Sequence, residues 1–415
     1  MYQKIIASCF LAFSAAHTTA QTIDNTALPR FVQHIAVLAS DRLEGRNTGT
    51  AGADLAAAYI ATQYQTLGLS KLPNNADYLF PFEFKNKNGN PHANESDSTL
   101  QRSIGKNVIA FIDNNQPNTL LIGAHYDHLG HGESGGSLYA GSDLPIHNGA
   151  DDNASGIAML LELAQALQQH KNSNYNYMFV AFSGEEVGLL GSNYLAKHPV
   201  ISNSNINLMI NMDMVGRLKN NTLAVNGVGT SPNLKAIVAG IEVDSVKYVF
   251  GESGIGPSDH TSFYLQDIPV LHFFTGAHED YHKPSDDAEK INYKGMISVG
   301  NIILQTIIKV SSQQRLTFTK TKEEKNENAP KFTVTLGVMP DYLYDGIGMR
   351  IDGVSEGKPA QIAGLAKGDI VIKLGEIAVA DMQTYMRALA KFNKGDTTKI
   401  DINRGGALLS MPIKF

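Results

Sequence analysis

Two adjacent carboxylates in Gly149-Ala150-Asp151-Asp152-Asn153-Ala154-Ser155-Gly156 stand between a histidine-rich loop and a strongly apolar helical run. Taken alone, Asp, Asn and Ser at such a place cap the following helix by offering oxygens to the free N–H groups of its first turn. The rest of the chain supports a second reading, in which Asp151 is a ligand shared by two metal ions. His125, Glu186, Asp213 and His282 complete the candidate set. Histidine and carboxylate donors without cysteine suit zinc or a similar transition metal, whereas Ca2+ and Mg2+ prefer shells of oxygen. Five donors are too many for one catalytic zinc, which needs an open position, so two ions with one carboxylate between them fit the set better.

These donors need a scaffold that brings distant residues together. From residue 107 the chain alternates short apolar, β-branched runs with helical stretches. Strands are predicted at Asn107–Ile112, Thr119–Gly123, Tyr177–Phe182, Ile206–Met212 and Ile268–Phe274, and helices at Ser155–Gln169, Leu189–Lys197, Asn233–Gly240, Ser258–Leu265 and Tyr293–Val310. This alternation predicts an α/β fold, a mainly parallel mixed sheet covered by helices on both faces. Ligands of such sheets bind beyond the carboxyl ends of the strands. Thr119–Gly123 runs into His125-Tyr126-Asp127-His128, Tyr177–Phe182 into Ser183-Gly184-Glu185-Glu186, Ile206–Met212 into Asp213, and Ile268–Phe274 into a segment holding His278, Tyr281 and His282. Four strands therefore deliver His or carboxylate groups to one edge, which chance placement of solvated residues would not do. Upstream, residues 29–69 have helical spacing interrupted by Glu44-Gly45-Arg46-Asn47-Thr48-Gly49-Thr50, either a loop near the site or a plain turn between helices.

His125-Tyr126-Asp127, the Gly149–Gly156 stretch, Phe182-Ser183-Gly184-Glu185-Glu186-Val187-Gly188, Asn211-Met212-Asp213-Met214 and Tyr281-His282-Lys283-Pro284-Ser285-Asp286 resemble, in order, the motifs of the two-zinc exopeptidases, which include bacterial leucyl aminopeptidases and glutamate carboxypeptidase. The resemblance implies that His125 and Asp213 hold one zinc, Glu186 and His282 the other, and Asp151 bridges them. It also implies that Glu185 is the general base activating a zinc-bridging water, and that the Asp151–Asp152 peptide bond is cis. Tyr281 matches a tyrosine that hydrogen-bonds the oxyanion in some members; other members carry it before a Ser-Asp-His motif, where this chain has Pro257. Asp127 is expected to accept the second N–H of His125. His128, His131, His147 and His278 are expected to be solvated loop residues outside the metal shell, and Arg217 to bind a substrate carboxylate or pair with a surface Asp.

The chain has 415 residues, 43% of them apolar, and a formal net charge of −6. No Lys/Arg block is dense enough for a nucleic-acid footprint, so no such partner is expected. Met1–Ala20, with Lys4 before an apolar run, reads as a signal peptide cut after Ala20, which predicts a periplasmic or secreted protein with no membrane span after cleavage. Cys9, the only cysteine, would leave with it, which excludes thiolate catalysis in the mature chain. The domain reading is 1–20 signal, 21–310 catalytic, 311–331 a charged linker and 332–415 a small domain with its own strands. Leu336-Gly337-Val338-Met339, Gly348–Val354 and Pro359–Asp369 resemble a β-rich PDZ domain of the bacterial protease-associated type. That likeness implies binding of an extended peptide or protein C-terminus, with Leu336, Gly337, Val338 and Met339 as the carboxylate-receiving loop; a packing module is the competing role.

The motifs imply an aminopeptidase acting on peptides. A carboxypeptidase or dipeptidase of the same family stays open, as does a non-catalytic peptide-binding protein working through its PDZ domain, although retention of every ligand and of Glu185 argues against the latter. Glutaminyl cyclases share the fold but use a tryptophan-lined pocket, and this chain has no Trp.

Overall fold

The computed structural model describes residues 22–72, 75–86, 101–133, 136–139, 141, 143–168, 173–321, 334–341, 344, 346–354, 357–380 and 382–415. The proposed signal peptide and its cleavage point lie outside them. The N-terminal unit is built on eight strands: β1 (Leu79–Lys85), β2 (Arg102–Ile112), β3 (Thr119–His125), β4 (Asn176–Phe182), β5 (Ile206–Met212), β6 (Thr222–Asn226), β7 (Lys247–Gly251) and β8 (Val270–Phe274). Their order is β1-β2-β4-β3-β5-β8-β6-β7. The middle four are mutually parallel, while β2 joins β4 and β6 joins β8 in antiparallel fashion. The sheet is therefore mixed around a parallel centre, as the alternation predicts.

Helices α1 (Leu28–Leu38), α2 (Ala51–Thr66), α3 (Gly156–Leu167), α4 (Leu190–Lys197), α5 (Leu234–Ala239), α6 (His260–Tyr264) and α7 (Tyr293–Ser311) surround it. Because side chains alternate across a strand, each central strand feeds two cores. Tyr177, Phe179 and Ala181 of β4 join Leu120 and Ile122 of β3 against α1, α2, α3 and α7. Met178, Val180 and Phe182 turn to the other face and pack with Leu195 of α4 and Phe263 of α6. Every residue of β3, β4, β5 and β8 is buried, which explains why these strands are legible as unbroken apolar runs. No helix among the described residues is long and apolar enough to cross a membrane.

The tether begins later than residue 311. Ser311 ends α7, and the chain then lies along the N-terminal unit. Leu316 N–H donates to Asn207, Thr319 N–H to the Thr230 carbonyl, and Thr321 N–H to the Tyr264 hydroxyl, while Leu316 is buried and Phe318 packs on Tyr264. The Lys322–Lys331 part of the linker lies outside the described residues. The C-terminal unit has β9 (Val338–Pro340), β10 (Met349–Val354), α8 (Pro359–Ile362), β11 (Ile370–Leu374), β12 (Ile377–Ala378), α9 (Met382–Leu389), β13 (Thr397–Arg404) and β14 (Ala407–Lys414). Its main strand order is β14-β13-β11-β10-β9, around a core of its own that includes Leu336, Ile351, Val371, Tyr385 and Ile402.

Candidate metal centre

The four central strands end where the sequence places the donors. His125 closes β3, Glu185 and Glu186 follow β4, Asp213 follows β5, and His282 lies on the loop after β8. His125 Nε2 is 3.3 Å from Asp213 Oδ1 and 3.4 Å from Asp152 Oδ1. His282 Nε2 is 3.3 Å from Asp152 Oδ2 and 3.2 Å from Glu186 Oε2. Asp152 therefore turns one oxygen toward each imidazole, the place expected of the shared ligand. Two groups could each hold a cation: His125, Glu185 and Asp213 form one, and His128, Asp152 and Glu186 the other.

This geometry corrects the assignment of Asp151. Its Oδ1 accepts Gly216 N–H at 2.7 Å, and its Oδ2 lies 3.2 Å from His278 Nε2. The non-helical bend at Asp152 (φ −104°, ψ 90°) sends the neighbouring carboxylates to different surroundings, a separation that two identical side chains in a row do not advertise. The cis bond is displaced by one residue too, to Asp152–Asn153. Capping falls to Asn153, whose Oδ1 accepts Gly156 N–H and Met214 N–H, while its amide donates to the Met212 carbonyl, tying α3 to the end of β5.

The Asp127 expectation also changes. His125 Nδ1–H donates to the Asp127 backbone carbonyl at 3.1 Å, and the carboxylate stands 3.8 Å away. That carboxylate instead accepts the N–H groups of Glu185 and Glu186 at 3.2 and 3.4 Å, so it braces the loop carrying both glutamates. His282 Nδ1–H donates to the Gly136 carbonyl, which fixes the ring and leaves Nε2 facing the carboxylates. The Tyr281 ring stacks on His282 at 3.9 Å and packs against Met214, Ala224 and Phe274.

Two histidines expected to be solvated, His128 and His147, are buried, and a third, His278, is half-buried. His128 Nδ1–H donates to Glu186 Oε1 at 2.6 Å, leaving Oε2 toward His282; His147 bonds Ser137; His278 bonds Asp151. Arg217 pairs with Asp280 at 3.2 Å. Two further residues escaped the sequence reading. Asp286 Oδ2 accepts the N–H groups of both Asp151 and Asp152, and Arg46 is fully buried among backbone carbonyls beside the site. The signals were present, as Asp286 closes the His282 motif and Arg46 lies in the Gly-punctuated loop.

The titrating groups hold one another in charged form. Burial alone would push Asp152 up, but hydrogen bonds from His125 and His282 bring it well below the usual carboxylate range. Burial would also raise Glu186, yet the charge of His282 and the contact with His128 bring it down to about 2. Glu185 goes the other way. Burial raises it well above the ordinary range, and Asp213, Glu186 and Asp259 add to this against the opposing charge of His125.

In the C-terminal unit, Leu336 is buried in the core and Gly337 has φ +76°, where an added Cβ would stand 2.1 Å from Lys358 Cβ. Val338 and Met339 lie in β9, which among the described residues is an edge strand paired with β10 alone.

Residues 107–307 match the model of Peptidase family M28, and residues 316–415 that of the PDZ domain. Aminopeptidase YwaD of Bacillus subtilis is 28% identical over 225 residues, half of this chain and 45% of that protein. The alkaline phosphatase isozyme conversion protein of Escherichia coli is 33% identical over 175 residues, 41% of this chain and 46% of that protein. The chain thus spans about half the length of these relatives. The solved zinc aminopeptidase BSAP from Bacillus subtilis superposes with a TM-score of 0.52 at 17% identity, covering 70% of this chain and 95% of the other, which shows a shared fold. Sequence motifs and sheet order agree with these matches: the chain carries a domain of peptidase family M28, a zinc exopeptidase family, over residues 107–307, with a PDZ domain following it.

Proposed function

We propose that the protein is an exported aminopeptidase that uses two zinc ions to remove N-terminal residues from peptides. The observation that carries this reading is Asp152, whose two oxygens face different imidazoles. His125 and Asp213 would hold one cation and His282 and Glu186 the other, with Asp152 shared. When bound, such ions acidify a water and polarise the scissile carbonyl.

The protein's own groups account for the rest. Glu185 takes the attacking water's proton on a carboxylate oxygen and delivers it to the departing amine nitrogen, a transfer suited to a carboxyl raised by burial. Glu185 and Asp213 face the substrate's free α-amino group. Tyr281, stacked on His282, stands next to the site with its hydroxyl as an oxyanion donor. In the PDZ domain, the open side of β9 accepts an extended peptide as a further strand, with the turn at Gly337 receiving its carboxylate.

Metal analysis combined with aminoacyl and N-acetylated chromogenic substrates tests the reading. About two zinc ions per chain and hydrolysis confined to free amines are expected; hydrolysis of the blocked substrates overturns the aminopeptidase. Glu185→Gln should keep its zinc and lose activity by about 100-fold or more. Export predicts a secreted or periplasmic chain beginning at Gln21, which N-terminal sequencing checks.

A further inference from the structure

Among the described residues, one buried arginine stands against no carboxylate. Arg46 is fully buried, and among the described residues no carboxylate lies within 4.0 Å of its guanidinium. Buried arginines ordinarily stand against a carboxylate, because the desolvated charge needs compensation. Arg46 is compensated by backbone carbonyls instead. Nε donates to Tyr126 O at 2.7 Å, Nη1 to Asn148 O at 2.7 Å and to Leu38 O, and Nη2 to Gly149 O at 3.0 Å.

The identity of those carbonyls gives the arrangement its meaning. Tyr126 follows His125, Asn148 and Gly149 precede the Asp151-Asp152 turn, and Leu38 ends α1. One planar fork thus fixes the spacing between the segment carrying His125 and the segment carrying Asp152. The main chain around it reinforces the tie. His128 N–H donates to Arg46 O, Gly130 N–H to Gly45 O, and His147 N–H to Gly130 O. At Gly45, with φ +65°, an added Cβ would meet His147 O at 2.6 Å, so the loop is fitted closely against the same segment. Burial pulls the guanidinium down to about 10, and the carboxylates of Asp127, Asp152, Asp286 and Glu186 work against that by favouring its charged form. A cation placed there offsets mutual repulsion within a dense carboxylate cluster.

We propose that Arg46 is the positioning residue that holds the His125 and Asp152 segments at metal-binding distance before any metal arrives. The inference rests on the two-cation reading of the site. Lysine keeps the charge but cannot reach four carbonyls in one plane, whereas methionine keeps the stem and loses the charge.

Arg46→Lys and Arg46→Met are to be compared with the parent by zinc titration against a chromogenic chelator and by thermal melting of the chelated proteins. Zinc affinity should fall about tenfold or more in Arg46→Lys and further in Arg46→Met, in the range that lost support of metal ligands produces. Parent-like zinc affinity in a folded Arg46→Lys overturns the proposal. Hydrogen exchange of the chelated parent keeps the test decisive if neither variant folds. The amides of His128, Gly130 and His147 should then exchange as slowly as those of β3 and β4, and exchange at the rate of exposed loops overturns it. A parent that binds no zinc at all while these amides stay protected would sink the metal reading and leave the clamp standing, so the two failures are distinguishable.

Discussion

Replacing Asp286 by alanine removes the acceptor beneath the Asp152 turn. Asp286 Oδ2 takes the N–H of Asp151 at 2.9 Å and of Asp152 at 3.0 Å, and all three residues are buried. Each buried donor left without a partner costs about 1–3 kcal/mol, so the two together come to roughly 2–6 kcal/mol. A water entering the vacated space can satisfy one of them, which leaves an expected loss of about 1–3 kcal/mol, a sizeable share of the roughly 5–15 kcal/mol a domain possesses. The backbone bond from Ala150 N–H to Asp286 O survives, so the loop stays attached. Asp286→Asn keeps one oxygen for the same donors and should lose at most about half as much. Urea unfolding of the chelated variants measures the loss, and hydrogen exchange at Asp151 and Asp152 locates it. An Asp286→Ala protein within about 1 kcal/mol of the parent, with the Asp152 amide still protected, would refute the reasoning.

Other substitutions separate roles that the sequence runs together. Asp152→Asn should lower zinc content to one ion or fewer, whereas Asp151→Asn, whose amide oxygen can still accept Gly216 N–H, should keep both; the reverse pattern in metal analysis refutes the geometry. Asp259 is buried, and burial pushes its carboxyl up to about 7 against the opposing charge of His125 and the contact with Ser192. The folded chain therefore keeps a proton that the unfolded chain releases near pH ~4, and stability falls as pH rises between those values by up to about 4 kcal/mol. Asp259→Asn should flatten that slope in the chelated protein and be the more stable form near pH 8, as denaturation at several pH values will show. A chain ending after Thr321 should melt like the parent's catalytic unit, whereas one ending after Gln313 loses the packing of Leu316 and Phe318 and roughly 3–5 kcal/mol with it.

The sequence exposed those parts of the fold whose physics is local. β3, β4 and β5 are buried on both faces, so their runs of Leu, Ile, Met and Phe carry an undiluted signal, and the residues after them are chemically distinctive. β6 and β7 were not predicted, because five residues with partial burial look like any short apolar stretch. At the site, residue type identified the cluster and failed at the single-residue level. Asp151 and Asp152 differ only in what a bend makes them face. The buried His128 and His147 and the half-buried His278 were placed in solvent because the cover over a loop residue comes from segments far away in sequence. Asp286 and Arg46 act on backbone groups, so their places in the motifs marked them while their residue types did not say what they hold.

The parallel centre of the sheet decides when during folding the donors can meet. They come from the ends of four strands and from positions between 125 and 282, and β3 lies between β4 and β5 although both follow it in the chain. Apart from Glu185 and Glu186, no two of the five proposed ligands or the base are close in sequence, so no short segment can chelate an ion on its own. Long crossovers must close before the donors assemble, and such non-local pairing is slow. Metal therefore cannot nucleate the fold. It binds a chain that has already folded, adding about 2.7 kcal/mol at a free concentration 100 times its dissociation constant. The order of events is folding first and loading second, and a newly folded molecule has to retain an open route to the strand ends until metal arrives.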